Sequence, residues 1–381
     1  MKLYTKWISA VVVTALLSSS AAAMETKAKN VILMDYDTGE YLYTENAFVP
    51  VAPASMSKLM TVYILFDKLK NGSLSLEDVF TVSENAWRTG GAASGSSTMF
   101  LPVGDKVTVE NLIKGIIIQS GNDACITAAE NIAGSEENFA ALMNAKAKEL
   151  GLKNSHFVNS TGLPHPDHRM SAEDLAKLAR ALIQDFPEYY PVFAQKSFTY
   201  HNIVQGNRNP LLYSMPDADG LKTGHTAEAG FCLTASVKRG ERRLIGVMTG
   251  MKSNKERSEE AEKLMSWGFR EFDNYKVFKQ FQRIVAAPVY MGEEKKIDLI
   301  VNEDVVLTLA RSKAREVKLT AVYDKPVKAP ISQGDRLGEV KIEIPDGETK
   351  IIPLYADHSV RKLGFWGRIM SNVKYLLFGA E

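Results

Sequence analysis

Ser55 and Lys58 stand three positions apart in Pro53-Ala54-Ser55-Met56-Ser57-Lys58. On a helix that spacing sets a hydroxyl and an amine on one face. A serine hydroxyl is a poor nucleophile until a base takes its proton. Lysine can be that base only if burial or a neighbouring cation lowers its pKa. Lys222 is a candidate for such a second cation. The pair points to acyl transfer through a serine ester. The plainer alternative is that Ser55 merely caps the helix it opens, the commonest use of serine there. The spacing recurs at Ser371 and Lys374 in the C-terminal stretch, so the string alone decides nothing.

Two further strings could complete such a site. Ser120-Gly121-Asn122 falls between two helical segments, where Ser120 could relay a proton and Asn122 could orient Lys58 or bind a substrate amide. The same residues would also make an ordinary connector. Lys222-Thr223-Gly224-His225 precedes an apolar run. On an edge strand, Lys222 and Thr223 could bind an anionic substrate end, and Gly224 would let a backbone approach. The amides of Ser55 and His225 could then form an oxyanion hole. Taken alone, Lys222 reads as a solvated edge lysine.

The elements that must hold these strings are visible in the periodicity. Val31–Tyr36 and Tyr41–Thr44 flank Asp37-Thr38-Gly39 as a hairpin. A helix is expected from Ser55 to Lys70, stopped at Asn71-Gly72. Others are expected over Glu110–Gln119, Asp123–Ala133, Glu136–Leu150 and, capped by Ser171, from there onward. Gly230–Val237 and Arg243–Gly250 read as buried strands and Glu256–Arg270 as a closing helix. The first large domain is therefore mixed α/β. Past about Tyr275 come short β-rich runs: 283–289, 296–301, 305–309, 317–322, 337–344 and 350–354. These suggest a small all-β domain.

The two ends carry their own signals. Lys2 and Lys6, an apolar run over Ile8–Leu17 and Ala21-Ala22-Ala23 have the order of a secretory signal peptide. From Lys362 onward, Leu363, Trp366, Ile369, Met370, Val373, Leu376 and Leu377 recur at helical spacing, with Arg368 and Lys374 among the polar positions. This fits an amphipathic helix lying on a membrane surface; a helix docked on its own domain has the same pattern. The expected division is 1–23 signal peptide, 24–274 α/β domain, 275–358 β-rich domain and 359–381 anchor helix.

Of 381 residues, 45 % are hydrophobic and 24 % charged, with a net charge of +1, so nothing points to nucleic acid. The six histidines include no His-Glu-x-x-His string, and no phosphate loop or dinucleotide fingerprint occurs, so neither metal nor cofactor is expected. Cys125 and Cys232 sit in apolar contexts and are expected to be unpaired core thiols.

Together the three strings resemble the serine penicillin-recognising enzymes. Pro53 to Thr61, Ser120 to Ala124, Asn159-Ser160-Thr161-Gly162-Leu163, Lys222 to Gly230 and Trp267-Gly268-Phe269-Arg270 look like the low-molecular-mass D-alanyl-D-alanine carboxypeptidases. The resemblance covers nearly the whole chain. It implies a penicillin-recognising transpeptidase/β-lactamase-like α/β domain, a trailing all-β domain and a C-terminal amphipathic helix. It further implies Ser55 as acyl-ester nucleophile, Lys58 as proton acceptor, Ser120 as second active-site serine and Lys222 as substrate-binding. Arg208 and Arg257 are similar to basic residues near the family's site, and either could instead be a surface arginine. The expected substrate is the peptidoglycan pentapeptide stem, with β-lactams as covalent inhibitors, on the outer side of the inner membrane. A class A β-lactamase is the nearest rival, but Val158–His165 has no acidic residue to position a deacylating water. A non-catalytic wall-binding protein is the rival from another class.

Overall fold

The computed structural model describes residues 24–345 and 347–378. The expected signal peptide lies outside the described residues, as does the end of the expected anchor. The chain first lays down β1 (Asn30–Asp35) and β2 (Tyr41–Glu45), the predicted hairpin. It then builds helices before returning as β3 (Ala218–Thr226), β4 (Gly230–Arg239) and β5 (Arg242–Met251). The five strands form one antiparallel sheet in the order β2-β1-β5-β4-β3. β3, which carries Lys222, is therefore an edge strand, as expected.

Alternation along β1 serves two cores. Ile32 and Met34 join the larger one, with α1 (Lys58–Lys70), α2 (Asn122–Ala133), α3 (Glu136–Glu149) and α4 (Ala172–Asp185). Val31 and Leu33 face the other way, against α5 (Asn254–Glu271). The sheet is thus covered on both faces, and side chains of opposite parity fill opposite layers. Hydroxyl caps start the surrounding helices: Ser135, Ser171 and Ser253 accept from the amides of Asn138, Asp174 and Glu256, each at 3.1 Å.

α1 is buried on nearly every side, including Leu59, Met60, Val62, Leu65 and Phe66, as befits a core helix. It begins at Lys58, later than its periodicity suggests. Ala54–Ser57 forms a tighter 3₁₀ turn ahead of it, with Ala54 in the left-handed region at φ +49°. The cap positions of the two helices are held by Pro53 and Ser57, not by Ser55.

The rest of the chain is β-rich. β6 (Phe272–Phe278), which periodicity did not reveal, pairs with β9 (Val305–Ala310). β7 (Arg283–Tyr290), β8 (Lys296–Ile300), β10 (Lys318–Tyr323), β11 (Val327–Lys328), β12 (Arg336–Glu343) and β13 (Lys350–Ala356) form a second sheet, ordered β10-β12-β13-β8-β7-β11. Its own core includes Ile297, Leu299, Val340, Ile342 and Leu354. A helix, α6 (Phe365–Phe378), follows, with Phe365, Trp366, Ile369, Met370 and Val373 exposed. Among the described residues no helix is long and apolar enough to cross a membrane.

The helix that carries Lys58 is anchored by ring contacts. Phe66 meets Phe186 and Phe193 edge-on, with centroids 5.6 and 6.3 Å apart. Phe66→Ala should cost about 3–5 kcal/mol, to be read from a lowered urea midpoint with an unchanged slope.

Candidate active site

The site is assembled where the Ala54–Ser57 turn meets the edge strand. A Cβ on Gly224 would lie 3.0 Å from the Pro53 carbonyl oxygen and 3.1 Å from the Ala54 Cβ. The close approach that requires glycine is therefore to the turn itself. From the other side Gly162, at φ +79°, presses on the same turn: a Cβ there would sit 2.0 Å from the Ala54 carbonyl oxygen. The turn is gripped between two glycines, and Ser55 projects half-buried from it.

Lys58, the first residue of α1, is fully buried. Its Nζ has three partners: Ser55 Oγ at 2.9 Å, Asn122 Oδ1 at 2.7 Å and the Thr161 carbonyl oxygen at 2.6 Å. An ammonium would donate to all three. A neutral amine has two N–H bonds, which satisfy Asn122 and Thr161 and leave its lone pair facing the Ser55 hydroxyl. Burial pulls the Lys58 pKa down to about 8, and the positive charge of Arg208 acts in the same direction. The amine is thus poised to accept the Ser55 proton near neutral pH. Lys222 is also lowered well below its usual value, by burial first and then by the charges of Lys58 and Arg208. Between the two lysines, the charge effect is felt at Lys222.

The partners of Lys58 are themselves held. Asn122 opens α2, and its Nδ2 donates to Ser96 Oγ at 3.0 Å. Ser120 sits two residues earlier in the left-handed region at φ +66°, buried but lining the cleft beside Ser55. Such a conformation in a non-glycine residue is uncommon and aims the side chain where a helical one would not reach. Asn159 Oδ1 accepts from the amides of Thr161 and Gly162 at 3.2 and 2.7 Å, shaping the loop that turns the Thr161 carbonyl toward Lys58.

The cleft, a cavity of about 270 Å³, is lined by Ser55, Ser120, Thr223, Gly224, His225, Arg208 and Arg257, with Ser97 and Phe231. Lys222 lies buried behind this lining, its Nζ donating to the Thr223 carbonyl oxygen at 3.1 Å. Arg257 is 6 % exposed. It donates to Asn254 Oδ1 at 2.6 Å and to the Cys232 carbonyl oxygen at 3.4 Å, and burial lowers its pKa to about 10. Arg208 is exposed on its loop, yet it donates to Ser97 Oγ and faces the same cleft. All ten residues singled out from the sequence are therefore at or directly behind one cleft. Arg208 and Arg257 bring two guanidinium charges to its lining, so it suits a carboxylate.

Several site residues escaped the sequence reading. Asp123, fully buried, accepts from the amides of Met99, Leu101 and Ala124 and from Thr98 Oγ1, and so fixes the loop bearing Ser96 and Ser97. A charged residue following Ser-Gly-Asn was the available signal. Thr161 acts through its carbonyl, which no side-chain pattern announces. Cys125 and Cys232 are buried free thiols. Burial pushes Cys125 up to about 12, so it holds no thiolate at neutral pH. Among the described residues no group of histidine, cysteine and carboxylate side chains could hold a metal ion.

Comparison with known proteins shows the family and the fold. Residues 17–253 match the family described as D-alanyl-D-alanine carboxypeptidase, peptidase S11. Residues 272–362 match the C-terminal domain of penicillin-binding protein 5. The D-alanyl-D-alanine carboxypeptidase DacC of Escherichia coli (strain K12) is 41 % identical over 92 % of this chain and 88 % of its own. DacA of the same organism is 38 % identical over 92 % of this chain and 87 % of its own. Among solved structures, penicillin binding protein 5 from Haemophilus influenzae superposes with a TM-score of 0.80 at 36 % identity, covering 89 % of this chain and 99 % of that one. Penicillin binding protein 6B from Escherichia coli gives 0.73 at 36 % identity, covering 88 % and 97 %. The α/β unit therefore has the penicillin-recognising serine hydrolase fold, followed by an all-β domain, and the chain belongs to the D-alanyl-D-alanine carboxypeptidase family, peptidase S11.

Proposed function

We propose that the protein is a serine-type D-alanyl-D-alanine carboxypeptidase that removes the terminal D-alanine from peptidoglycan pentapeptide stems. The observation that carries this reading is the buried Lys58 amine, 2.9 Å from Ser55 Oγ and held by Asn122 and Thr161. Ser55 Oγ attacks the carbonyl of the penultimate D-alanine while Lys58 takes its proton. The amides of Ser55 and His225 steady the developing oxyanion. Arg208, Arg257 and Thr223, with Lys222 behind them, receive the terminal carboxylate. Ser120 passes the proton to the departing amine, D-alanine leaves, and water hydrolyses the Ser55 ester. A β-lactam enters the same cleft and acylates Ser55.

On this reading the protein acts outside the cytoplasm, exported by residues 1–23, and rests on the membrane surface through residues 359–381. The apolar side chains left exposed on α6 support that attachment; removal of 362–381 should release the protein into the soluble fraction. A role in cell shape would follow from trimming stems before they are crosslinked. Against the β-lactamase rival, residues 158–165 of this chain hold no acidic side chain, and the Thr161 carbonyl there engages Lys58. Rapid turnover of a chromogenic cephalosporin would favour that rival.

Ser55→Ala should lower D-alanine release from a muramyl-pentapeptide by at least about a thousandfold; release at the parent rate would contradict the assignment. Only the neutral amine accepts a proton, so kcat/KM should climb about tenfold per pH unit below the Lys58 pKa and level off above about 8. An acid limb centred near 4 would instead point to a carboxylate base.

A further inference from the structure

The all-β domain carries a second cavity, of about 490 Å³, lined by Phe281, Arg283, Asp298, Asn302, Gln333 and Asp357. Small-molecule pockets run from about 300 to 1,000 Å³. It opens where the start of β7, the end of β8 and the turn after Ile331 converge. β6 runs from α5 toward this region. β6 ends at Phe278, three residues before Phe281.

Phe281 is the unusual member. Its side chain is 64 % exposed, and its backbone lies in the left-handed region at φ +60°. That conformation is costly for a bulky residue. It is held by the Phe281 amide donating to the Val301 carbonyl oxygen at 2.8 Å. The ring takes no part in the core of the β domain, so the strain secures an aromatic surface facing solvent. Beside it, Asn302 and Gln333 are exposed. Their backbones are engaged, while their side-chain amides have no partner among the described residues. Arg283 and Asp298 neutralise each other at 3.0 Å, and Asp357 is hydrogen-bonded to His358 at 2.6 Å.

We propose that this groove binds N-acetylated amino sugars of a glycan strand. A pyranose ring offers an apolar C–H face that an aromatic ring can cover. Its hydroxyl and acetamido groups both donate and accept, as do the amides of Asn302 and Gln333. The lining has no surplus of cations, since Arg283 is already paired and Asp357 adds an anion. That balance suits a neutral sugar and disfavours an anionic lipid headgroup. On the carboxypeptidase reading, such a glycan carries the stems on which Ser55 acts. Sugar binding itself does not depend on that reading.

The test uses the full chain with chitotetraose in calorimetry, and with peptide-stripped glycan strands in co-sedimentation. Phe281→Ala and the Asn302→Ala/Gln333→Ala pair should each weaken binding by about tenfold or more. Phe281→Trp should retain it. Labelled penicillin should acylate every variant as it does the parent protein, which separates this result from the fate of the catalytic reading. Absence of glycan binding by the parent chain, or equal binding by Phe281→Ala, would overturn the proposal. So would a variant that loses only its attachment to anionic vesicles.

Discussion

An amine with no exposed surface beside a serine hydroxyl is the constraint on which the rest of this site depends. Lys58 at the head of a core helix cannot reach water, so its charge is expensive to keep there. Asn122 and the Thr161 carbonyl supply two acceptors, enough to satisfy a neutral amine and to direct its remaining lone pair at Ser55. Remove either acceptor and the amine can turn away; expose it to solvent and its pKa returns toward that of an ordinary lysine. The chemistry thus rests on packing as much as on the identity of the base.

That packing explains otherwise odd backbone choices. Ala54 and Ser120 both occupy the left-handed region, one directly before Ser55 and the other lining the cleft. Gly162 and Gly224 allow two segments distant in sequence to press on the turn between them. Asp123 gathers the amides of the 98–101 loop and so steadies Ser96, which in turn holds Asn122. Strain of this kind persists only where the surroundings over-determine it. Here the surroundings are the sheet edge, the core helix and two loops closing on one hydroxyl.

Much of this was legible in the letters, and for identifiable reasons. α3 spans nearly the expected residues and α4 starts behind the expected Ser171 cap, while α5 begins two residues before Glu256, behind a Ser253 cap the periodicity did not mark. The sequence made an edge strand the condition for Lys222 to bind substrate without marking 218–226 as a strand, and the fold meets that condition. The start of α1 was misjudged because a left-handed alanine leaves no mark in composition. β6 was hidden because Phe272 follows a helix directly, with no glycine or proline to break the pattern. The sequence offered Arg257 equally as a solvated helix residue; only the fold turns it inward to the cleft. Main-chain groups such as the Thr161 carbonyl stay invisible to any reading of side chains.

The central claim is that Ser55 forms a covalent acyl-enzyme with Lys58 as its base. It is tested most directly by treating the purified protein with a labelled β-lactam and following the adduct by peptide mass spectrometry over time and pH. The account predicts one adduct, on the peptide bearing Ser55, forming faster as pH rises toward about 8. An adduct on another residue, or none on a folded protein, would contradict it.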